Sequence, residues 1–260
     1  RWIKLQNFSK NIFENFELCF SSNIESKKYL KTLGAKKIKY FGNLKFSQSE
    51  NEKNFINSDF KKFIRNKKVW CASSTHKSEE LFCGLIHKKI KKKYKNLLTV
   101  IIPRHIDRVD DIKMELNNLN LKIHIHDPKK KIHKDTDIYL VNSYGKTKSF
   151  YINCKNIFLG GSLIDHGGQN PLEATRFGCN ILHGPYVSNF KEIYEFLKTK
   201  NISKVVTSEK NTIKALINLF NRKKFSKKAQ KELNKIGIKI LDSTINEINF
   251  IINKNETKKT

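Results

Sequence analysis

Long apolar runs are missing from this 260-residue chain. No stretch of 18 apolar residues occurs, which excludes a transmembrane helix within it. Its start also lacks the charged-then-apolar pattern of a secretory signal. The first residue is Arg1, not Met, so the chain is expected to be a piece of a longer protein. Cysteine is sparse: Cys19, Cys71, Cys83, Cys154 and Cys179 are odd in number, and no two are spaced CxxC. Several lie in apolar, strand-like runs such as VWCAS and FELCFS. That pattern reads as buried free thiols in a reducing compartment, and no metal site is expected.

Acidic residues are scarce too, 24 against 52 basic ones, for a net charge of +28. A polyanionic partner, nucleic acid or an anionic membrane surface, is one reading of that excess. Arg, the residue suited to bidentate phosphate contacts, supplies only six of the 52. Lys, Asn, Ile and Phe are used heavily throughout, and the charge is spread along the chain rather than held in one arm. Composition therefore accounts for it better. No helix-turn-helix, zinc or RNA-recognition signature is present, and no nucleic-acid partner is expected. Hydrophobic residues make up 38%, with 18 Phe and 8 Tyr, enough for a packed core.

Apolar runs of strand length alternate with amphipathic stretches of helix length. Strands are expected at 16–20, 38–41, 69–72, 97–102, 121–125, 137–141, 157–159 and 180–182. Helices are expected at 25–33, 78–94, 107–119, 146–152, 171–177, 190–198, 212–222 and 227–252. The polar stretch 47–57 is the best linker candidate, and 253–260 reads as a frayed polar tail. The alternation predicts an α/β fold with a parallel, doubly wound sheet. In such a sheet ligands bind beyond the carboxyl ends of the strands.

Four segments that follow strands carry unusual residues. In CASSTHKSEE, Ser78 suits a helix N-cap and Glu79 and Glu80 suit its first turn. Capping explains those three and leaves Thr75 and His76 as ligand candidates. In IIPRH, Pro103 stiffens the strand exit before Arg104 and His105. A lone Arg–His pair is often a solvated loop, but the position makes this one a candidate. In NSYGKTKSFY, Gly145 resembles a turn that lets a phosphate or base approach. The fourth segment, FLGGSLIDHGGQNPLEA, is the most informative. Two Gly pairs flank Ser162 and His166, and the loop enters a helix through Asn170 and Pro171. Glycine permits close backbone approach, and a helix N-terminus favours an anionic phosphate. Glu173 could accept hydrogen bonds from two ribose hydroxyls.

The string GGSLIDHGGQNPLEA closely resembles the signature of bacterial 3-deoxy-D-manno-octulosonic acid (Kdo) transferases, which have the GT-B glycosyltransferase fold. Supporting matches follow in order: GNLKF (42–46), ASSTHKSEE (72–80), PRH (103–105) and GPYVSNF (184–190). The resemblance implies two Rossmann-like domains with the active site between them. Residues 1–45 would be closing elements of the N-terminal, acceptor domain, and 46–252 the C-terminal domain that holds the donor, CMP-Kdo. It implies CMP contacts at Pro103, Arg104, Tyr144, Gly145, Lys146, Asn170, Pro171, Leu172 and Glu173. The donor and phosphate loop would comprise Thr75, His76, His105, Gly161, Ser162, His166, Gly167, Gly168, Gln169 and Asn189.

Backbone N–H groups of the loop from Gly161 to Asn170, with Arg104 and His166, would stabilise departing CMP. The implied reaction inverts the anomeric centre, uses no cofactor or bound metal, and delivers Kdo to a lipid A precursor. It would take place at the cytoplasmic face of the bacterial inner membrane, reached through a membrane-associated N-terminal segment. The general base would be a Glu of the N-terminal domain, so this chain alone would hold the donor and be inactive. Three departures stand out. Lys146 occupies a place where Glu is usual, Gln169 one where His is common, and Ser78 one where Gly is usual. The last is expected to be harmless at a helix start. Other readings are a UDP-sugar transferase or epimerase of the same fold, a nucleic-acid-binding protein, or an inactive remnant.

Overall fold

Short apolar runs without strict alternation need cover on both faces, which a parallel sheet between helices provides. The computed structural model describes residues 2–47, 58–221 and 227–256. It divides the chain into two compact units, Arg1–Ser49 with Lys231–Thr260, and Glu50–Gln230.

The smaller unit opens with α1 (Gln6–Phe13), β1 (Cys19–Phe20), α2 (Ile24–Thr32) and β2 (Ile38–Lys39), with β1 and β2 paired in parallel. The two strands are shorter than the apolar runs predict. The α1 helix was not expected, because it has neither an N-cap side chain nor an acidic first turn. Asn23 caps α2 by accepting from the Ser26 amide at 2.6 Å.

In the larger unit the elements are α3 (Ser58–Ile64), β3 (Lys68–Thr75), α4 (Glu79–Lys91), β4 (Leu97–Pro103), α5 (Val109–Asn117), β5 (Ile123–Ile125) and β6 (Ile138–Leu140). They continue as α6 (Thr147–Asn153), β7 (Asn156–Leu159), α7 (Leu172–Arg176), β8 (Asn180–His183), α8 (Lys191–Thr199), β9 (Ser203–Val205) and α9 (Glu209–Phe220). Seven parallel strands form one sheet in the order β5-β6-β4-β3-β7-β8-β9. The expected linker 47–57 lies, apart from Ser47, outside the described residues. Strand β9 escaped prediction because it is three residues long with one of them buried.

Both sheet faces are covered. Ile86, Ile90, Ile112, Leu116 and Leu216 of α4, α5 and α9 join Trp70, Ile101 and Phe158 in one buried cluster. Phe60 of α3 meets Tyr139 of β6 and Phe150 of α6 edge to face, at 4.8 and 5.4 Å between ring centroids. From β3 the chain builds outward on one side, then returns to build β7, β8 and β9 on the other. The switch in winding direction therefore falls beside β3, between β4 and β7. That is where an open α/β sheet leaves a crevice for a ligand.

The last helix, α10 (Lys227–Glu256), runs four residues beyond its expected end and into the segment read as a polar tail. From Lys231 it groups with residues 1–49 rather than with the sheet unit. A Cβ on Gly237 would lie 2.0 Å from the Phe46 carbonyl oxygen, so this approach needs glycine. Ile238, Leu241, Ile245, Ile248 and Ile252 are exposed at alternating three- and four-residue spacing.

At the amino ends of β4 and β6, away from the crevice, a buried polar network ties sheet to helix. His87 lies 2.8 Å from Thr99 Oγ1 through Nδ1 and 3.3 Å from Asp137 Oδ1 through Nε2. The Lys122 amide donates to Asp137 Oδ2 at 2.9 Å, and the Lys91 ammonium also donates to Asp137. Burial alone would raise the Asp137 carboxyl. Donation from His87, the Lys122 amide and Lys91 outweighs it and holds the group well below its usual 3.8. A depressed folded-state value stabilises above the ordinary carboxylate pKa and fades as pH falls below it. Asp137→Asn is therefore expected to lower unfolding free energy by about 2–3 kcal/mol near neutral pH. The gap from wild type should narrow as urea unfolding is repeated toward pH 2.

Candidate functional site

The loops that leave β3, β4 and β7 meet at the switch point, where backbone bonds join them. Strand β3 bulges between Ser73 and Thr75, with Ser74 left-handed at φ +55°. Past the bulge the Thr75 carbonyl accepts from the Arg104 amide at 2.9 Å, joining the STH and PRH turns. On its other side the Ser73 carbonyl accepts from the Gly160 amide at 2.8 Å. A Cβ on Gly160 would stand 2.5 Å from the Ser74 carbonyl oxygen and 2.7 Å from Glu79 Oε2, so no side chain fits there.

Glu79 occupies the centre. Its buried carboxylate accepts from His76 N and Gly161 N through Oε2, at 2.9 and 2.7 Å. Through Oε1 it accepts from Ser162 N and Leu163 N, at 3.1 and 3.0 Å. Glu79 and Glu80 lie in the first turn of α4 as expected; the correction concerns Ser78, which stands at the N-cap position without capping it. Ser78 sits at φ +77° and makes no capping bond. That left-handed conformation explains why glycine is usual there, and a Ser costs roughly 1–2 kcal/mol in it. Glu80 instead forms a bidentate pair with Arg108, both contacts at 3.1 Å. Burial raises the Glu80 carboxyl, and Arg108 pulls against that rise.

Much of the glycine-rich loop is held internally. The buried Ser162 hydroxyl donates to the Leu159 carbonyl and accepts from the Gly184 amide at 2.8 Å. Gly168 N donates to Gly161 O at 2.8 Å, and Asn189 N to Gly167 O at 3.1 Å. The Asn189 side chain also donates to His166 O at 3.3 Å. Gly167 and Gly168 have φ of +86° and +75°, and a Cβ on Gly167 would fall 2.3 Å from Asn189 Nδ2. Within the loop from Gly161 to Asn170, whose backbone N–H groups are expected to face departing CMP, the Gly161, Ser162 and Leu163 amides donate to Glu79.

Side chains of three histidines gather over this scaffold. The His76 ring lies 4.2 Å from His166 and 5.7 Å from His105, centroid to centroid. His76 is buried, and its Nε2 has no hydrogen-bond partner among the described residues. Burial first, then His166, His105, Arg104 and Arg108, push its pKa down to about 4. The same Nε2 and the Gln169 amide nitrogen would each lie 3.2 Å from a Cβ on Gly161. Arg104 and His105 are exposed at the rim. Thr75, His76, Arg104, His105, Gly161, His166 and Gln169 therefore come together.

The implied nucleotide contacts form the adjoining part. Tyr144 is exposed, and Gly145 has φ +75° with open space on its side-chain side. The Asn170 side chain accepts from the Leu172 amide at 3.1 Å, and Pro171 and Leu172 are buried. Helix α7 has five residues, so its dipole is smaller than the sequence suggested. Glu173 is partly exposed and stands 3.9 Å from Lys148. Lys148 thus links α6 to α7, while the charge of Lys146 acts on His126. Ser143 was overlooked: its Oγ is buried without a partner among the described residues, just before Tyr144. Its place directly after a strand was the available signal.

Among the described residues no group of three or more His, Cys, Asp or Glu could hold a metal ion. No described helix is long and apolar enough to cross a membrane. A cavity of about 1240 Å³ opens at the β8–β9 edge, lined by His183, Tyr194, Lys198 and Lys204 among others. It touches the glycine-rich loop only through Asp165 and does not include the histidine cluster.

No protein-family model matches the chain. It is 27% identical over 227 residues to the 3-deoxy-D-manno-octulosonic acid transferase of Haemophilus influenzae, covering 84% of this chain and 51% of that protein. It is also 27% identical over 222 residues to the enzyme of that name from Aquifex aeolicus, covering 85% and 59%. The chain thus spans just over half the length of these relatives. Among solved structures it resembles the C-terminal CMP-Kdo binding domain of WaaA from Acinetobacter baumannii. That match has a TM-score of 0.58 and 26% identity, and covers 69% of this chain and 91% of that domain. Anabaena HepE in complex with UDP and glucose, 10% identical with a TM-score of 0.54, shares the fold alone. The larger unit has the Rossmann-like fold of a GT-B C-terminal domain, and the chain resembles Kdo transferases in sequence.

The burial of His76 is directly measurable. Its imidazole should remain neutral down to about pH 4 in an NMR titration. A midpoint near the usual 6.5 would mean the ring is solvated and the cluster open.

Proposed function

We propose that the larger unit binds the CMP portion of CMP-Kdo, and that the protein to which this chain belongs transfers Kdo to a lipid A precursor. The observation that carries the reading is convergence. Four of the five segments that match Kdo transferases, ASSTHKSEE, PRH, GGSLIDHGGQNPLEA and GPYVSNF, are separated in sequence yet lie at the carboxyl ends of the neighbouring strands β3, β4, β7 and β8. The C-terminal CMP-Kdo binding domain of WaaA from Acinetobacter baumannii matches 69% of this chain at 26% identity.

In the proposed complex the base and ribose lie along the Gly145 turn and the Asn170–Glu173 segment. Pro103 and the open side of Gly145 leave room for a flat ring, and Glu173 accepts from the ribose hydroxyls. Arg104 meets the phosphate. A preorganised guanidinium stabilises the charge that builds on departing CMP, which is where such a group accelerates a transfer. Neutral His76 and the neighbouring His105 and His166 line the donor side. The inward-facing amides of Gly161–Leu163 contribute indirectly, through the shape that Glu79 imposes on them. No residue of this chain is assigned as general base. By the resemblance, that Glu belongs to the acceptor-side domain, of which residues 1–45 would be closing elements. The acceptor implies work at the cytoplasmic face of a bacterial inner membrane. A UDP-sugar reading has only fold-level neighbours behind it.

Calorimetric titration with CMP, UMP and UDP separates these readings. CMP should bind at least about tenfold more tightly than either uridine nucleotide, a difference of ~1.4 kcal/mol. Preference for a uridine nucleotide would sink the Kdo assignment. Glu173→Ala should weaken CMP binding by about tenfold or more, the worth of charge-assisted hydrogen bonds. Unchanged affinity in a folded variant would remove Glu173 from the site.

A further inference from the structure

We propose that Glu79 is the positioning residue of this site, a built-in anion that fills the amide nest of the glycine-rich loop and sets the gap between that loop and His76. The inference rests on the nucleotide-site reading for its ligand but on bond geometry for its mechanism. Successive backbone N–H groups turned inward after a strand make an anion-binding concavity. Here the occupant belongs to the protein. A carboxylate offers about four lone-pair positions, and four amides fill them, two on each oxygen.

The donors come from two loops rather than one. His76 N belongs to the exit of β3, while Gly161, Ser162 and Leu163 belong to the exit of β7. These strands are sheet neighbours paired through Ser73 and Leu159. The shared carboxylate is therefore a crosslink at the floor of the crevice, and Gly160 is the position that lets the loops close over it. Two consequences follow. The His76 ring is held against His166 at 4.2 Å, with Nε2 left unpartnered. An incoming anion is also kept from the nest and must meet side chains at the rim. Glu79 touches neither part of the proposed ligand and acts through the backbone.

Glu79→Gln tests this, because the amide keeps the shape but turns two acceptor positions into donors facing N–H groups. CMP affinity is expected to fall at least tenfold, and the His76 midpoint to rise by at least one pH unit as the ring is released toward water. Asp137→Asn, which weakens the fold from the far end of the sheet, should move neither value. A purely structural Glu79 would make the two variants alike. Wild-type CMP affinity and an unmoved His76 midpoint in folded Glu79→Gln would overturn the proposal. Should Glu79→Gln fail to fold, Glu79→Asp keeps the charge but shortens the crosslink. It should shift both readings in the same direction by less, and wild-type values for both would overturn the proposal equally. The His76 titration needs no nucleotide. If wild-type protein does not bind CMP, the nucleotide reading fails while the crosslink is still tested.

Discussion

One buried carboxylate holds together two loops that have no regular structure of their own. Four amides converge on Glu79, and a buried carboxylate deprived of such donors is strongly destabilising. The loops need that restraint. Glycines at 160, 161, 167 and 168 permit left-handed turns and close contacts, but each carries more chain entropy in the unfolded state than any other residue. The Glu79 crosslink, the Ser162 hydroxyl and the Asn189 side chain offset that entropy from three directions. These loops carry Arg104 and three histidines, with His76 at 4.2 Å from His166 and 5.7 Å from His105. Preorganisation of this kind lets a site stabilise developing charge without rearranging during reaction.

Elements whose signals are local were legible in the sequence. The buried runs of β3, β4, β6 and β7 announced a covered parallel sheet, and strand–loop alternation placed the crevice at their carboxyl ends. The loop from Gly160 to Glu173 stood out in the sequence as a ligand candidate, from its glycines and through its resemblance. Features set by distant partners were not. Nothing next to Glu79 reveals that its acceptors face amides some 80 residues away. Local rules therefore took it for part of a cap, and took Ser78 for the cap itself. The left-handed turn at Ser78 belongs to the same contact, since it aims Glu79 inward. Strand β9 gave no signal because an edge strand with one buried residue has no pattern to read. The extra turn of α10 beyond residue 252 was hidden by its polar sequence.

The large positive charge has a local explanation in several places. Lys88, Lys89 and Lys91 occupy the last turn of α4, where cations complement the helix dipole, and Lys89 also pairs with Glu209. Arg108 neutralises buried Glu80, and Lys91 serves the Asp137 network. Cations at the crevice are fewer but better placed. Arg104 is exposed at its rim, and burial, reinforced by His166, His105, Arg104 and Arg108, keeps His76 uncharged. A site that holds one imidazole neutral beside an exposed guanidinium presents both a hydrogen-bonding ring and a full charge.

Nucleotide binding is proposed at the β3–β4–β6–β7 strand ends, on a loop whose inner amides belong to Glu79. A crystal structure with CMP tests it most directly. The nucleotide is expected between the Gly145 turn and Asn170–Glu173, with its phosphate at Arg104 and the four Glu79 contacts intact. A phosphate seated on the Gly161–Leu163 amides with Glu79 displaced, or a nucleotide in the cavity at the β8–β9 edge, would contradict it.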